Sequence, residues 1–317
     1  MTILVTGGAG FIGSHLCEYL LTKGHRVVCL DNFDHFYDPK IKEQNIVTSL
    51  GNSLFSLVRG DIRDKVVLKN IFQENAVDCV VHLAAKAGVR PSILQPSDYM
   101  DVNVNGTVAL LEAMHQAGVR RFVFGSSSSI YGNQTKMPFS ERDDVSQPIS
   151  PYAASKHSGE LLCHVYHHLY EMEVACLRFF TVYGPRQRPD LAIHKFTQLA
   201  LSGQPIPLYG DGGTRRDYTF VADIVRGIEQ VIEMPNLSYE IINLGGGQPV
   251  TLLDMVQAVE QALGKPLEIN FLEKQPGDVE QTHADIRKAN NLFGYQPSIS
   301  LQEGVRRFVE WYSSMRH

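Results

Sequence analysis

Three groups of residues in this chain are spaced for chemistry. In Gly7-Gly8-Ala9-Gly10-Phe11-Ile12-Gly13, Gly8, Gly10 and Gly13 fit G-x-G-x-x-G, while Gly7, Gly10 and Gly13 fit G-x-x-G-x-x-G. Glycines so placed let backbone N–H groups and the positive end of a following helix approach a pyrophosphate. The alternative is a turn that needs glycine only for its backbone angles. In Tyr152-Ala153-Ala154-Ser155-Lys156, a phenol and an ammonium stand at i and i+4 and share one helix face. A free phenol, with a pKa of about 10, is a poor base at neutral pH, and a cation one turn away favours its phenolate. Third, Ser126-Ser127-Ser128-Ser129-Ile130-Tyr131-Gly132 gathers hydroxyls that either relay a proton to Tyr152 or merely cap a strand.

The elements that must position these groups are legible as apolar, β-branched runs at 3–6, 26–30, 54–59, 78–83, 121–125 and 174–180. Helical patterns at 11–22, 65–74, 101–116 and 151–170 lie between them. Such alternation predicts βαβ units: an α/β fold with a Rossmann-like, doubly wound parallel sheet. The glycine segment then joins the first strand to the first helix, and Asp31 ends the second strand 18 residues beyond Gly13. A carboxylate there accepts hydrogen bonds from an adenine ribose and repels a 2′-phosphate, and Asn32 rather than an arginine follows it. The expected cofactor is NAD. Its candidate contacts are Gly7, Gly10, Phe11, Ile12, Gly13, Asp31 and Asn32, with Asp61 and Ile62 after the third strand and Leu83, Ala84 and Ala85 after the fourth.

Beyond residue 181, Gly184-Pro185, Gln204-Pro205 and Gly210-Asp211-Gly212-Gly213 break the chain into shorter pieces. Helices are expected at 192–201, 222–233, 251–263 and 301–314, with a strand at 240–244. We therefore expect a dinucleotide-binding domain over 1–180 and a smaller C-terminal α/β substrate-binding domain over 181–317, with 222–244 returning to the first sheet.

The chain has 317 residues, 44% of them apolar and 20% charged, which argues against disorder. Its 29 Lys and Arg against 34 Asp and Glu give a net charge of −5, a balance that argues against nucleic acid as a partner, since duplex-binding proteins usually carry a basic face. No apolar stretch approaches the roughly 18 residues of a membrane helix, and no basic leader precedes the first strand. Cys17, Cys29, Cys79, Cys163 and Cys176 form an odd set without C-x-x-C, which reads as buried reduced thiols in a cytoplasmic protein. His164, His167 and His168 have helical spacing, but no H-E-x-x-H pattern accompanies them, so a solvated or interfacial face is expected rather than a metal site.

Taken together, the glycine-rich start, the serine-rich strand end followed by Tyr131-Gly132, and the Y-x-x-x-K resemble the extended short-chain dehydrogenase/reductases, in particular their nucleotide-sugar 4-epimerases. Gly210-Asp211-Gly212, Arg216-Asp217-Tyr218 and Pro276-Gly277-Asp278 extend the resemblance over nearly the whole chain. It implies that Ser127, Tyr152 and Lys156 are the catalytic residues and that Tyr152 and Lys156 also touch the cofactor. Asn103 is similar to the family's asparagine on the helix after the fourth strand. Arg216 resembles a diphosphate-binding residue and Asp278 one that holds the uridine ribose, with Arg90 and Ser128 also on the substrate side. The implied reaction passes through a transient 4-keto sugar, with NAD regenerated in each cycle. The resemblance also implies a homodimer formed through helices near 103–116 and 151–170.

The sugar is the harder question. UDP-glucose 4-epimerases usually carry Asn at the place of Thr181, whereas Thr181 together with Arg188 resembles the UDP-glucuronate 4-epimerases, in which a hydroxyl and a guanidinium receive the C6 carboxylate. The guanidinium fork suits a carboxylate. The alternatives are that Arg186 and Arg188 form loop salt bridges or bind the diphosphate, and that the substrate is UDP-glucose or an N-acetylhexosamine. Ser128 and Ser129 stand where sugar 4,6-dehydratases carry Asp-Glu, which argues against dehydration, and Ser129 argues against a decarboxylase. A non-catalytic NAD-binding sensor would be expected to lack Ser127, Tyr152 or Lys156.

Overall fold

The structure, a computed structural model, describes residues 1–273 and 279–315. In chain order the strands are β1 (Thr2–Thr6), β2 (Arg26–Asp31), β3 (Phe55–Arg59), β4 (Cys79–His82), β5 (Arg121–Ser127), β6 (Glu173–Phe179), β7 (Thr181–Tyr183), β8 (Ile206–Tyr209), β9 (Arg215–Phe220), β10 (Tyr239–Leu244), β11 (Pro249–Thr251) and β12 (Ile269–Leu272). Two compact units divide the chain.

The first unit comprises Met1–Gly132, Glu141–Phe179 and Val225–Asn243. Its seven-stranded sheet has the order β10-β6-β5-β4-β1-β2-β3, and β1 to β6 pair in parallel. This is the Rossmann-like sheet expected from the alternation. The central strands are apolar through their middles because helices cover both faces. β4 is buried at every residue, whereas β3 on the edge is buried at none. From β1 the chain runs outward to β2 and β3, then crosses back to β4, so the order reverses between β1 and β4. Ligands of open α/β sheets bind at the carboxyl ends of strands at such a switch point.

Two local features differ from the expectation. The expected helix over 101–116 is two pieces, a π-helical turn Asp101–Asn105 and a helix Gly106–Ala117, and a short helix Pro96–Met100 runs into it. Gly106 continues the chain where a Cβ would stand 2.6 Å from Ile62 Cδ1, and the wide turn contains Asn103. Single π-turns of this kind recur at functional sites. The helix Pro39–Leu50 was not expected, because the face it buries is Lys42, Asn45, Ile46 and Ser49, with no apolar period to detect.

The second unit comprises Asn133–Ser140, Phe180–Ile224 and Leu244–His317. It holds a three-stranded sheet, β11-β9-β7, with β7 parallel and β11 antiparallel to β9, and a parallel pair β12-β8. These strands were not expected, because Pro207 interrupts β8, Arg215-Arg216-Asp217 opens β9 and Pro249 opens β11, so they lack the apolar, β-branched runs of the first unit. The loops are gathered on one buried carboxylate. Asp217 on β9 accepts N–H bonds from Gly246 (2.5 Å), Gly247 (3.0 Å) and Ala284 (2.9 Å). Burial raises its pKa, and the three backbone donors work against that rise.

Candidate active site

β1 delivers the glycine turn. Gly7 adopts φ +69°, and a Cβ there would lie 2.7 Å from Ala84 N, while one at Gly13 would lie 2.2 Å from Gly7 O. Only glycine fits either place, so the backbone of β1, β4 and the helix Phe11–Thr22 converges without intervening side chains. That helix starts at Gly10 with no side-chain cap, so the positive end of its dipole is available to an anion. Phe11 and Ile12 form its first turn.

Asp31 closes β2 and is buried. Its carboxylate accepts from Ala9 N (3.1 Å) and Phe33 N (2.8 Å), and Lys42 Nζ lies 3.4 Å from Oδ1. Lys42 belongs to the helix Pro39–Leu50, so its ammonium beside the candidate ribose acceptor was not foreseen from the sequence. The signal available was the N-terminal pair Asp38-Pro39, where Asp38 accepts from Lys40 N at 3.0 Å. Asn32 Nδ2 donates to Asp61 Oδ2 (2.9 Å), and Arg63 grips the same carboxylate with Nε and Nη2, each at 2.8 Å. The Arg63 hydrogen bonds bring Asp61 down to about 2. Asp61 is therefore engaged with Asn32 and Arg63, and Ile62 is buried against the helix Gly106–Ala117.

Leu83 N donates to Thr6 O (3.1 Å) and Ala84 N to Thr6 Oγ1 (3.2 Å), while Ala85 continues the chain beside them, half-buried. Asn103 clamps the next residue: its Oδ1 accepts from Lys86 N (2.8 Å) and its Nδ2 donates to Lys86 O (3.0 Å) and to Ser155 Oγ (2.9 Å). Ser155 lies on the helix Pro151–Tyr170, whose N-cap Ser150 accepts from Ala153 N (3.1 Å) with Pro151 in the first turn. On this helix Lys156 is buried and donates to Gly125 O (2.7 Å) on β5, and burial lowers its ammonium to about 8. Tyr152, one turn earlier, meets the ring of Tyr99 edge-on at 6.2 Å. Ser127 ends β5, is buried, and lies within hydrogen-bonding reach of Ser129 Oγ (3.1 Å) and Ser129 N (3.2 Å), with half-buried Ser128 between them. Arg90 is exposed on the helix Val89–Leu94. The first unit thus brings the glycine turn, Asp31, Asn103, Ser127, Tyr152 and Lys156 onto the carboxyl ends of neighbouring strands and the helices that follow them.

In the second unit, Thr181 opens β7 and is half-buried. Arg188 follows in the loop, and its Nε and Nη2 make a fork–fork pair with Asp190 at 2.9 and 2.8 Å. Arg216, on β9 beside Asp217, donates to Arg215 O at 2.9 Å. Asp278 lies outside the described residues. His164 and His167 pack against Tyr239, and His167 Nδ1 is 2.7 Å from Met172 O. The described residues contain no cluster of three or more potential metal ligands. All five cysteines are free and buried, and no helix among the described residues is long and apolar enough to cross a membrane.

The GDP-mannose 4,6 dehydratase family matches residues 4–308. A UDP-glucuronate 4-epimerase of Thermodesulfobacterium geofontis is 42% identical over 309 residues, covering 97% of this chain and 95% of that protein. UDP-glucuronate 4-epimerase 1 of Arabidopsis thaliana is 41% identical over 332 residues, covering 99% of this chain and 77% of the relative. The crystal structure of UDP-glucuronic acid 4-epimerase from Bacillus cereus in complex with UDP-glucuronic acid and NAD superposes with a TM-score of 0.93 at 40% identity, covering 99% of this chain and all of that one. With a family match along almost its whole length and relatives above 40% identity, the chain belongs to the extended short-chain dehydrogenase/reductases, in the family described by GDP-mannose 4,6 dehydratase.

Proposed function

We propose that this protein is an NAD-dependent isomerase that interconverts UDP-glucuronate and UDP-galacturonate at C4. The observation that carries this reading is the serine strand end, Tyr152 and Lys156 set around a glycine turn, in a chain that matches UDP-glucuronate 4-epimerases over its full length. The residues present fit the cofactor: a cradle that any Cβ would fill, an uncapped helix start, and Asp31 paired with Lys42 at the end of β2. Bound NAD would supply a hydride acceptor for sugar C4, able to give the hydride back to the opposite face. Tyr152 takes the 4-OH proton while Ser127 holds that oxygen, and Tyr152 gives the proton back once the 4-keto sugar has turned over. Lys156, anchored on Gly125 O, keeps a positive charge one helical turn from the phenol.

The first unit serves NAD and supplies Arg90, Ser127, Ser128 and Tyr152 to the substrate, and the second supplies the remaining contacts to the UDP-sugar. Arg188 and Thr181 receive the C6 carboxylate. The two-pronged pair that Arg188 makes with Asp190 is the geometry a sugar carboxylate needs, so substrate exchanges one carboxylate partner for another. Arg216 takes the diphosphate, Asp278 the uridine ribose, and Arg90 and Ser128 complete the substrate side. Ser128 and Ser129 offer no acid for water elimination, which favours epimerisation over dehydration within this family. A cytoplasmic homodimer is part of this reading. Leu161, Val165 and Leu169 form an exposed apolar stripe at i, i+4 and i+8 along the helix Pro151–Tyr170, and all five thiols are free.

The test is to incubate purified protein with UDP-glucuronate, and separately with UDP-glucose, without added reductant, and to follow products by NMR. Formation of UDP-galacturonate alone is expected. Conversion of UDP-glucose alone would assign Thr181 and Arg188 to another role. Arg188→Ala should lower kcat/KM for UDP-glucuronate by about 10- to 100-fold. Any residual turnover of UDP-glucose should change far less.

A further inference from the structure

We infer that His82 is a positioning residue, the midpoint of a one-way hydrogen-bond chain that fixes the glycine-turn end of β1 against the Asn103 turn and, through it, against the helix of Tyr152. His82 ends β4, is 2% exposed, and lies beside the rings of Phe122 and Phe124 at centroid distances of 5.9 and 5.8 Å. Its Nδ1 is 2.7 Å from Thr6 Oγ1 and its Nε2 is 3.1 Å from Thr107 Oγ1. A buried imidazole with two hydroxyl neighbours could adopt either tautomer, and here the neighbours decide.

Thr107 donates its single hydroxyl hydrogen to Asn103 O at 2.6 Å. Its oxygen can then only accept from the ring, so His82 carries its hydrogen on Nε2. Nδ1 is left as an acceptor, and the Thr6 hydroxyl donates to it. Thr6 Oγ1 in turn accepts from Ala84 N at 3.2 Å. The chain therefore runs from Ala84 N–H through Thr6, His82 and Thr107 to the Asn103 carbonyl. Asn103 carries the connection onward, because its Nδ2 donates to Ser155 Oγ (2.9 Å) and Ser155 donates to Tyr152 O (2.8 Å). Burial, with Lys156 adding to it, holds the ring neutral by lowering its pKa to about 3. A protonated ring would donate at both nitrogens and send the Thr6 hydrogen elsewhere.

The placement is what gives the chain a role in the reaction. Thr6 immediately precedes Gly7, whose missing side chain lets Ala84 N approach, so His82 sets the spacing of β1 and β4 where their ends cradle the cofactor. Asn103 fixes Lys86 with one part of its amide and the Tyr152 helix with another. Fixing both sides on one chain keeps the cofactor cradle and the base in one relative position, and a misplacement of about 1 Å at such a site costs about 100-fold in rate. The inference rests on the reading of Tyr152 as the base and of the glycine turn as the NAD cradle.

The first measurement is a long-range 15N–1H correlation on 15N-histidine-labelled protein purified with its NAD, at neutral pH. A neutral Nε2–H tautomer at His82 is expected, and an Nδ1–H tautomer or an imidazolium would overturn the chain. Next, His82→Phe should lower kcat by about 10- to 100-fold and weaken NAD binding by about tenfold, with KM for UDP-glucuronate unchanged. His82→Gln, which can serve only part of the chain, should fall between the two. Loss of thermal stability with wild-type kcat and NAD affinity would reduce His82 to a core residue. If His82→Phe does not fold, the tautomer and His82→Gln decide, and wild-type kcat and NAD affinity in His82→Gln would overturn the proposal. Failure of the wild-type protein to convert UDP-glucuronate would overturn the proposed function alone, because tautomer and NAD affinity are read without turnover.

Discussion

The two units hold their proposed functional side chains by different means. In the first, the groups proposed to react sit on the ends of parallel strands or on the helices behind them, and buried polar chains tie those ends together. Glu160 makes a two-pronged pair with Arg178 (3.0 and 2.8 Å) and accepts from Ser126 (2.6 Å), and Arg178 reaches Tyr131, which donates to Asn243 (2.7 Å). In the second, short strands and loops hang on the single carboxylate of Asp217. A rigid sheet can hold reacting groups to a fraction of an ångström, whereas loops gathered on one carboxylate suit the binding role proposed for the second unit.

That contrast is broken most directly at Tyr152. Tyr152→Phe should lower kcat by about 10²- to 10⁴-fold with NAD and UDP-sugar binding preserved, measured by turnover alongside equilibrium titration. Near-normal turnover would remove the chemistry from the first unit. Glu160→Gln should come next. It strands the buried Arg178 charge and should cost about 3–5 kcal/mol in urea unfolding, while Glu160→Leu with Arg178→Met should recover much of that. Asp217→Asn in the second unit should cost about 1–3 kcal/mol, because an amide NH₂ must face backbone N–H groups that expect an acceptor. Its kinetic signature should be a raised KM for the UDP-sugar at nearly unchanged kcat, and a fall in kcat alone would erase the distinction between the units.

The smallest effect is a pH dependence. Lys156 has a folded pKa of about 8, below the value of about 10.4 expected for an unfolded lysine. Between those values the unfolded chain binds the proton and the folded one has lost it, so stability should rise with pH across this window. Activity should fall over the same interval as the ammonium beside Tyr152 is lost. Thermal midpoints of the wild type and Lys156→Met, compared from pH 7 to pH 10, isolate the contribution. Parallel curves would mean that Lys156 titrates alike in both states.

Part of this organisation was legible beforehand. Helices over 11–22, 65–74 and 151–170 match the expected spans because each carries a local signal, whether a helical apolar period or a Ser-Pro start. The glycine turn was legible for the same reason, since backbone convergence is written in residues that follow one another. Lys42 was not, because its helix buries a polar face. The partnership of Arg188 with Asp190 stood among the alternatives, and the geometry shows it formed.

By itself, then, the sequence determined what depends on local spacing: the alternation of strands and helices, the glycine turn, and the i, i+4 relation of Tyr152 to Lys156. Only the tertiary structure decided which distant groups share a hydrogen. His82 meets Thr6 across 76 residues, Arg178 on β6 reaches Glu160 on a helix and Tyr131 in the turn after β5, and Asp217 gathers backbone donors from two separate loops. A buried polar atom must find a partner wherever the fold supplies one, and sequence distance sets no limit on where that is.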